Sequence, residues 1–374
     1  MLVSVGAVLA LAAPASAEIT SSPRVATKAA VKVETVARGL ARPWALQFLA
    51  PDRTIVSERG GSLRIVTLAG GISKPLLGVR KVSAEGQGGL LDIALAPDFA
   101  SSRLLYFSYA EPRDGRRNGT SLARARLVET EDGGRLEGLE VIFRQEPSFA
   151  SPNHFGSRIV FTDDGSLFLT LGDRYFARDE AQNPANHLGK LVRLAPDGTP
   201  YPGNPRLPGW REEIWSIGHR NVQGAALHPV TRRLWIVDHG ARGGDEINIP
   251  QAGRNYGWPV ITYGRDYSGA SIGVGTEKEG LEQPVYYWDP SIAPSGAAFY
   301  TGDLFPEWKG SLFVGALAGR ALHRLVLEGE RVVGEEVLLA DRGKRIRDVR
   351  QGPDGALYLL TDDPDGELLR LSPG

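Results

Sequence analysis

Residues 162–173 read TDDGSLFLTLGD, a turn followed by a short apolar run that ends on Gly-Asp. Asp-Asp-Gly is turn chemistry: an Asp side chain bonds the backbone just after it, and Gly takes left-handed conformations at no steric cost. Leu, Phe and Thr at this length after a turn predict a β-strand. The unit recurs. Ala50-Pro51-Asp52 leads into RTIVSER, Ala96-Pro97-Asp98 into RLLYFSYA, and His228-Pro229 into RRLWIVDHG. Phe305-Pro306 leads into SLFVGAL and Gly352-Pro353-Asp354-Gly355 into ALYLLTD. The six turns, at 51, 97, 163, 229, 306 and 353, are spaced by 46, 66, 66, 77 and 47 residues.

Six such units predict an all-β fold, a six-bladed β-propeller with four-stranded antiparallel blades set radially so that few edges stay open. Helical periodicity is weak, and residues 180–192 are the one expected short helix. Gly (46) and Pro (25) make up about 19% of the 374 residues, against an ordinary share of about 12%, as a chain that turns often requires. Charge is balanced, 43 basic against 44 acidic residues, so no basic field exists to hold nucleic acid or an anionic membrane. There is no Cys, which excludes disulfides, thiolate zinc sites and Cys nucleophiles.

The N-terminus is a separate object. LVSVGAVLALAA (2–13) followed by Ala15-Ser16-Ala17 has the apolar run and cleavage site of a secretory signal peptide, too short to span a membrane. The expected organisation is a signal peptide at 1–17, a flexible tail at 18–31 and a single propeller at 32–374. The expected location is periplasmic or secreted, and the expected state is a monomer.

Four polar clusters are candidate sites, because loops at one end of a propeller build its function. Glu85-Gly86-Gln87-Gly88-Gly89 lets backbone approach a ligand closely. In Asn153-His154-Phe155-Gly156-Ser157-Arg158, a loop His suits a general base. GHRNVQG (218–224) and DHGARGGDE (238–246) hold an Arg fork and hard oxygen donors of the kind Ca²⁺ takes. In KRIRDVR (344–350) alternation sets Arg345 and Arg347 on one face, where two guanidiniums repel unless an anion lies between them. His187, His228 and His323 read as structural or surface residues. No nucleophile elbow, P-loop or dinucleotide fingerprint appears in a fitting context.

Read together and in order, RPWALQF, EGQGGLLDIAL, NHFGSRI, NPANHLGKLVRL, SIGHRNVQG, GGDEINIPQAGRNYGWP, PSIAPSG and RIRDVRQGPDG resemble the soluble PQQ-dependent aldose sugar dehydrogenases, the glucose/sorbosone dehydrogenase family. The resemblance covers roughly residues 35–372 and implies a six-bladed propeller. It implies a PQQ- and calcium-dependent dehydrogenase that oxidises the C1 hydroxyl of aldoses to aldonolactones by hydride transfer to the quinone, with electrons passed to an external acceptor. It implies His154 as catalytic base and Arg220 as the group that stabilises developing negative charge. Gln87, Arg220, Asn221, Arg345 and Arg347 are implied to hold the cofactor. The carbonyls of Gly240 and Ala241 are implied to ligate its Ca²⁺, and Glu246 with the carbonyl of Tyr256 a second, structural Ca²⁺. The chain departs from the pattern at Ala241, where relatives often have Pro, and at Ala318, where they usually carry a cofactor-binding Lys; Arg320 lies two residues on. An ordinary His pKa of about 6.5 sets the expected acid limit of activity. Two other readings remain for such a propeller, a calcium-dependent lactonase or hydrolase and a non-catalytic secreted carbohydrate-binding protein.

Overall fold

Each of the six turn-strand units forms the first hairpin of one antiparallel sheet in the computed structural model, which describes residues 19, 20, 22–28 and 30–374. The TDDG turn shows why. Asp164 Oδ1 accepts from Thr162 Oγ1 at 2.6 Å and from the Ser166 amide at 3.1 Å, while Gly165 takes φ +83°. All four residues of the strand Leu167–Thr170 are buried.

Blade 1 comprises Pro43–Ala50, Arg53–Glu58 and Ser62–Thr67, and blade 2 Leu90–Leu95, Leu104–Pro112, Asn118–Thr130 and Gly133–Arg144. Blade 3 comprises Ile159–Phe161, Leu167–Thr170, Lys190–Leu194 and Ile214–Ile217. Blade 4 comprises Val222–Leu227, Leu234–Asp238, Asp245–Asn248 and Tyr286–Asp289, and gains Ile19–Thr20 at its edge. Blade 5 comprises Pro294–Phe299, Leu312–Ala316, Ala321–Glu328 and Arg331–Leu338. Blade 6 takes three strands from the C-terminus, Ile346–Gln351, Leu357–Thr361 and Gly366–Pro373, and its fourth, Val31–Leu40, from near the N-terminus. That pairing closes the circle. The fold is thus a six-bladed propeller of mostly four-stranded antiparallel blades. The first strands touch one another in sequence around the axis, blade 6 against blade 1 included. Apolar side chains fill the spaces between blades, such as Trp235, Trp288, Phe299 and Leu312 between blades 4 and 5.

Two expectations change. The helix expected at 180–192 is a 3₁₀ turn, Arg178–Gln182, followed by loop and then strand. Asn183 precedes Pro184, which disfavours helical backbone there. The Lys190 ammonium instead gathers the carbonyls of Glu180, Ala181 and Leu188 at 2.6–3.1 Å. The tail expected to be loose is docked along blade 5: Val25 and Pro23 exchange backbone hydrogen bonds with Glu335, and Arg24 pairs with its carboxylate at 2.8 Å. The expected signal peptide, 1–17, lies outside the described residues. Among those described, no helix is long and apolar enough to cross a membrane.

The axis is closed by charge. Arg158 Nη1 lies 3.1 Å from Asp92 and 3.0 Å from Asp348, and Arg350 lies 3.3 Å and 3.4 Å from the same two carboxylates. These groups come from blades 2 and 6 and the loop entering blade 3. Removing one carboxylate strands buried guanidinium charge, which costs about 3–5 kcal/mol. Asp348→Ala is therefore expected to lower the unfolding free energy by about that amount in guanidinium chloride titrations. Unchanged stability would show that the network does not hold the ring.

Candidate active site

Every blade sends its first strand inward from one face and returns its second strand to that face. The residues just before first strands (Arg42, Gln87, His154, Arg220, Asn221, Ala293, Arg345) and just after second strands (Arg59, Asp173, His239, Leu317, Asp362) therefore meet at one mouth. The main cavity there encloses about 630 Å³ and is lined by Arg42, Arg59, Arg345, Arg347, Trp44, Gln87, Asn221, Gln223, His239, Asp362 and Asp363. A second space of about 260 Å³ is lined by His154, Arg220, Ala241, Asp173, Trp258, Tyr175, Phe176 and Tyr267. His154 and Phe155, and again Arg220 and Asn221, face one space each, so the two share a wall.

Four guanidiniums and two carboxylates make the main cavity net positive. The anion between Arg345 and Arg347 is Asp362. Its Oδ2 accepts from Arg345 Nε and Nη2 at 3.0 and 2.7 Å, with Arg347 Nη2 at 3.2 Å. Burial pushes the Asp362 carboxyl up, but the two arginines prevail and hold it at about 2. Arg347 Nε is buried and has no partner among the described residues. Arg59 donates to the carbonyls of Gly86 and Gly88, which fixes the turn that presents Gln87. Gln87 Oε1 in turn accepts the His154 amide at 2.9 Å, and Asn221 Oδ1 accepts that of Gly156 at 3.1 Å.

His154 is buried with φ +52°, a left-handed conformation uncommon outside Gly. Its Nδ1 lies 2.6 Å from Asp173 Oδ1. The Asp173 carboxylate also accepts from the Tyr175 amide at 2.7 Å and Trp258 Nε1 at 2.8 Å. Against burial, the adjacent His154 draws its pKa below the ordinary carboxylate value. An ionised Asp173 keeps the proton on Nδ1 and leaves Nε2 with its lone pair; among the described residues nothing hydrogen-bonds Nε2. Burial, reinforced by the Arg220 charge, lowers the imidazole pKa to about 4, well below the 6.5 taken from the sequence.

Arg220 stacks over Trp258 at 5.2 Å, and its Nη1 donates to the carbonyls of His239 (2.8 Å) and Gly240. The Gly240 carbonyl also faces His239 Nδ1 at 2.8 Å. As arranged, the Gly240 carbonyl is therefore taken up by Arg220 and His239. Beneath them is a space of only about 10 Å³, the size of one ion or water, lined by Asp238, Gly240, Glu246, Tyr256 and Thr262. Burial and the nearby Asp238 push the Glu246 carboxyl up to about 8, and burial pushes Asp238 up to about 6. Glu246 forms no ion pair among the described residues, and its carboxylate accepts one hydrogen bond, from Asn248 Nδ2 at 3.2 Å. Among the described residues no group of three or more His, Cys, Asp or Glu side chains converges on a metal-sized site.

All ten residues singled out in the sequence thus line one mouth or its floor. Ala318 is exposed in a turn, and Arg320 donates to the Gly343 carbonyl at 3.2 Å rather than lining the cavity. Sequence reasoning missed Asp173, Trp258, Arg42, Arg59 and Asp362. A signal existed for three of these: Arg59, Asp173 and Asp362 each stand just past a repeated strand, where TIVSER, LFLTLGD and LYLLTDD turn polar.

The family model for Glucose / Sorbosone dehydrogenase matches residues 40–370. The chain belongs to this family. It is 48% identical to the aldose sugar dehydrogenase YliI of Escherichia coli K12, over 94% of this chain and 96% of that protein. The apo crystal structure of the E. coli soluble aldose sugar dehydrogenase superposes with a TM-score of 0.89 at 47% identity, covering 92% of this chain and all of that one. The PQQ-bound aldose sugar dehydrogenase of Streptomyces coelicolor superposes with a TM-score of 0.75 at 30% identity, over 93% of this chain and all of that one. The protein is a dehydrogenase of this family.

The imidazole environment gives a direct check. In NMR titration of the protein, His154 is expected to protonate near pH 4, because burial and Arg220 disfavour its cation. Titration at an ordinary 6.5 would mean that the ring is not enclosed as described.

Proposed function

We propose that this protein is an exported, PQQ-dependent aldose sugar dehydrogenase that converts the C1 hydroxyl of an aldose to the aldonolactone and passes the electrons to an external acceptor. The observation that carries the reading is the shared wall: an imidazole oriented by a carboxylate borders a cavity whose net charge is positive. The names of the similar proteins support the substrate class, and the PQQ-bound relative supports the cofactor.

The residues present fit PQQ, a planar tricarboxylate. The cavity volume falls within the usual range for small-molecule sites, about 300–1,000 Å³. Its cationic excess and the unpartnered Arg347 Nε call for an anion. Arg347 and Arg42, with Arg345 and Arg59 held beside them by Asp362 and the Gly86 and Gly88 carbonyls, supply the positive charge that carboxylates require. Gln87 and Asn221 add polar edges to the wall. Ala318, where the family resemblance implies a lysine, contributes no charge, and Arg42 and Arg59 stand in the cavity wall. When bound, the cofactor supplies an ortho-quinone that accepts a hydride.

The protein's own part is acid–base and electrostatic. Neutral His154 accepts at Nε2 the proton of the sugar's C1 hydroxyl. Asp173 holds the Nδ1 proton and offsets the charge of the imidazolium as it forms. Arg220 presents a positive charge to oxygen that becomes more negative during reaction, as an oxyanion donor does. Trp258, Tyr175 and Phe176 wall the smaller space, where they exclude water and offer flat apolar faces to a sugar ring. The Glu246 space, which Arg220, Asp238 and Tyr256 also line, is of a size to fit a structural Ca²⁺, and Glu246 there has no ion-pair partner among the described residues. A Ca²⁺ on the Gly240 and Ala241 carbonyls would require Arg220 to give up Gly240.

Four outcomes test the reading. Dye reduction with aldoses is expected to require added PQQ, and lactone hydrolysis without it would reject the dehydrogenase. His154→Ala is expected to keep PQQ binding and lose roughly 10²- to 10⁴-fold in turnover, whereas Arg345→Ala is expected to weaken PQQ loading first. Because the base works neutral and its folded pKa lies near 4, kcat/KM should hold down to about pH 4 and fall below it. A fall centred at 6.5 would contradict the site geometry.

A further inference from the structure

Arg174 immediately follows the His154 partner Asp173, and it is fully buried. Its guanidinium hydrogen-bonds neutral oxygens only. Nη1 donates to the carbonyls of Asn153 (2.6 Å) and His154 (3.0 Å), and Nη2 to the carbonyl of Ser151 (2.5 Å) and to Asn118 Oδ1. The cation also lies flat on the Phe155 ring at 3.6 Å. Among the described residues no other donor reaches the carbonyls of Ser151, Asn153 or His154.

Those three carbonyls belong to a segment that no sheet can hold. His154 and Ser157 have φ +52° and +94°, and on the facing segment Arg174 and Tyr175 have φ +61° and +65°. The two segments are in close contact, since a Cβ on Gly172 would come within 2.1 Å of the His154 carbonyl. Non-glycine residues stay in left-handed conformations only where their surroundings over-determine them. Buried carbonyls also need donors. One planar fork supplies them for three residues around the imidazole and reaches Asn118 Oδ1 as well, four acceptors against the three donors of an ammonium.

We propose that Arg174 is the positioning residue that locks the 151–157 loop in its left-handed form and so aims the His154 imidazole at the cavity. It acts through the backbone and touches no reacting atom. The inference rests on His154 being the base of the proposed reaction, and its test is chosen to separate the two.

Arg174→Met and Arg174→Lys are compared with the wild type in the full chain. The first readout needs no cofactor: the NMR titration of His154, which is enclosed with Asp173, Arg220 and His239 as its charged and titratable neighbours. Arg174→Met is expected to raise this titration by about one unit or more, as the loosened ring gains water. The second readout is PQQ affinity, followed by quenching of tryptophan fluorescence, for which Trp44 lies in the cavity wall. The third is the split between kcat and KM. Arg174→Met is expected to lower kcat about 100-fold through misplacement of the base, with sugar KM and PQQ affinity within about threefold and Arg174→Lys in between. Wild-type titration and kcat in a folded Arg174→Met protein would overturn the proposal, as would parallel losses of PQQ affinity and kcat. If Arg174→Met does not fold, Arg174→Lys decides on the same readouts. If the wild type shows no PQQ-dependent dye reduction, the functional reading fails, and the titration still decides the role of Arg174.

Discussion

The four charges on the axis set the frame for everything above them. Asp92, Arg158, Asp348 and Arg350 are drawn from blade 2, the loop into blade 3, and blade 6, which are far apart in sequence and meet only when the ring is complete. Two carboxylates and two guanidiniums cancel in charge. Their remaining capacity is spent on backbone: Asp92 Oδ2 accepts the Ile159 amide at 2.8 Å, Asp348 Oδ2 that of Leu46 at 3.1 Å, and Arg158 Nε donates to the Gln223 carbonyl at 2.6 Å. Such a network adds little net stability over an apolar plug. What it does is bind the first strands of five blades, all but blade 5, to a common centre, so that their ends keep a fixed spacing. Arg158 also lies over Trp44 at 4.1 Å, with Arg347 over the same ring at 6.0 Å, which joins the plug to the wall of the main cavity.

A second, smaller device works at the same level. Ser57 donates to the Leu91 carbonyl at 2.6 Å, Ser108 to that of Ser157 at 2.7 Å, and Thr170 to that of Val222 at 3.2 Å. Each hydroxyl stands towards the end of a blade's second strand and reaches the start of the next blade's first strand. Neighbouring blades are thereby locked where the site begins, and the active residues lie within a few positions of these locks. That is why loops from five or six blades can present side chains with fixed relative placement although no two of them are covalent neighbours.

The repeat was legible because turn chemistry and strand length are local properties, and each of the six quoted units became one hairpin. Ring closure by Val31–Leu40 was not, since pairing with the far end of the chain leaves no local mark. The 180–192 segment misled for a related reason: its apolar spacing is helical, but Pro184 and a buried Lys190 that needs carbonyls decide its path. In the site, residue types that are chemically conspicuous in loops, such as His154 and Arg220, could be found. The carboxylates beside them carried only a positional signal, as the polar residues just past a repeated strand. Asp173 and Asp362 are ordinary residues at strand ends until folding sets them against an imidazole and a pair of guanidiniums. The acid limit expected from the sequence takes a solvated imidazole, whereas burial beside Arg220 lowers the His154 pKa to about 4.

That environment also shapes how the fold responds to pH. His154 and His219 are held near 4 and 3 by burial, whereas in the unfolded chain they titrate near 6.5. Below 6.5 the unfolded state binds the extra protons, so their contribution to stability is present above that value and lost as the pH falls towards 4. Glu246 and Asp238 act in the opposite sense. Their folded pKa values, about 8 and 6, exceed the ordinary carboxylate range, so their contribution is full in acid and is lost as the pH rises through those values. Between about 4.5 and 6.5 the two sets offset each other, and towards pH 8 the Glu246 carboxyl is the one left uncompensated. A cation beside it reverses that sign, because it favours the ionised carboxylate that burial opposes. The small space that Glu246, Asp238 and Arg220 line together is thus where the charge balance of the DHGARGGDE turn is set.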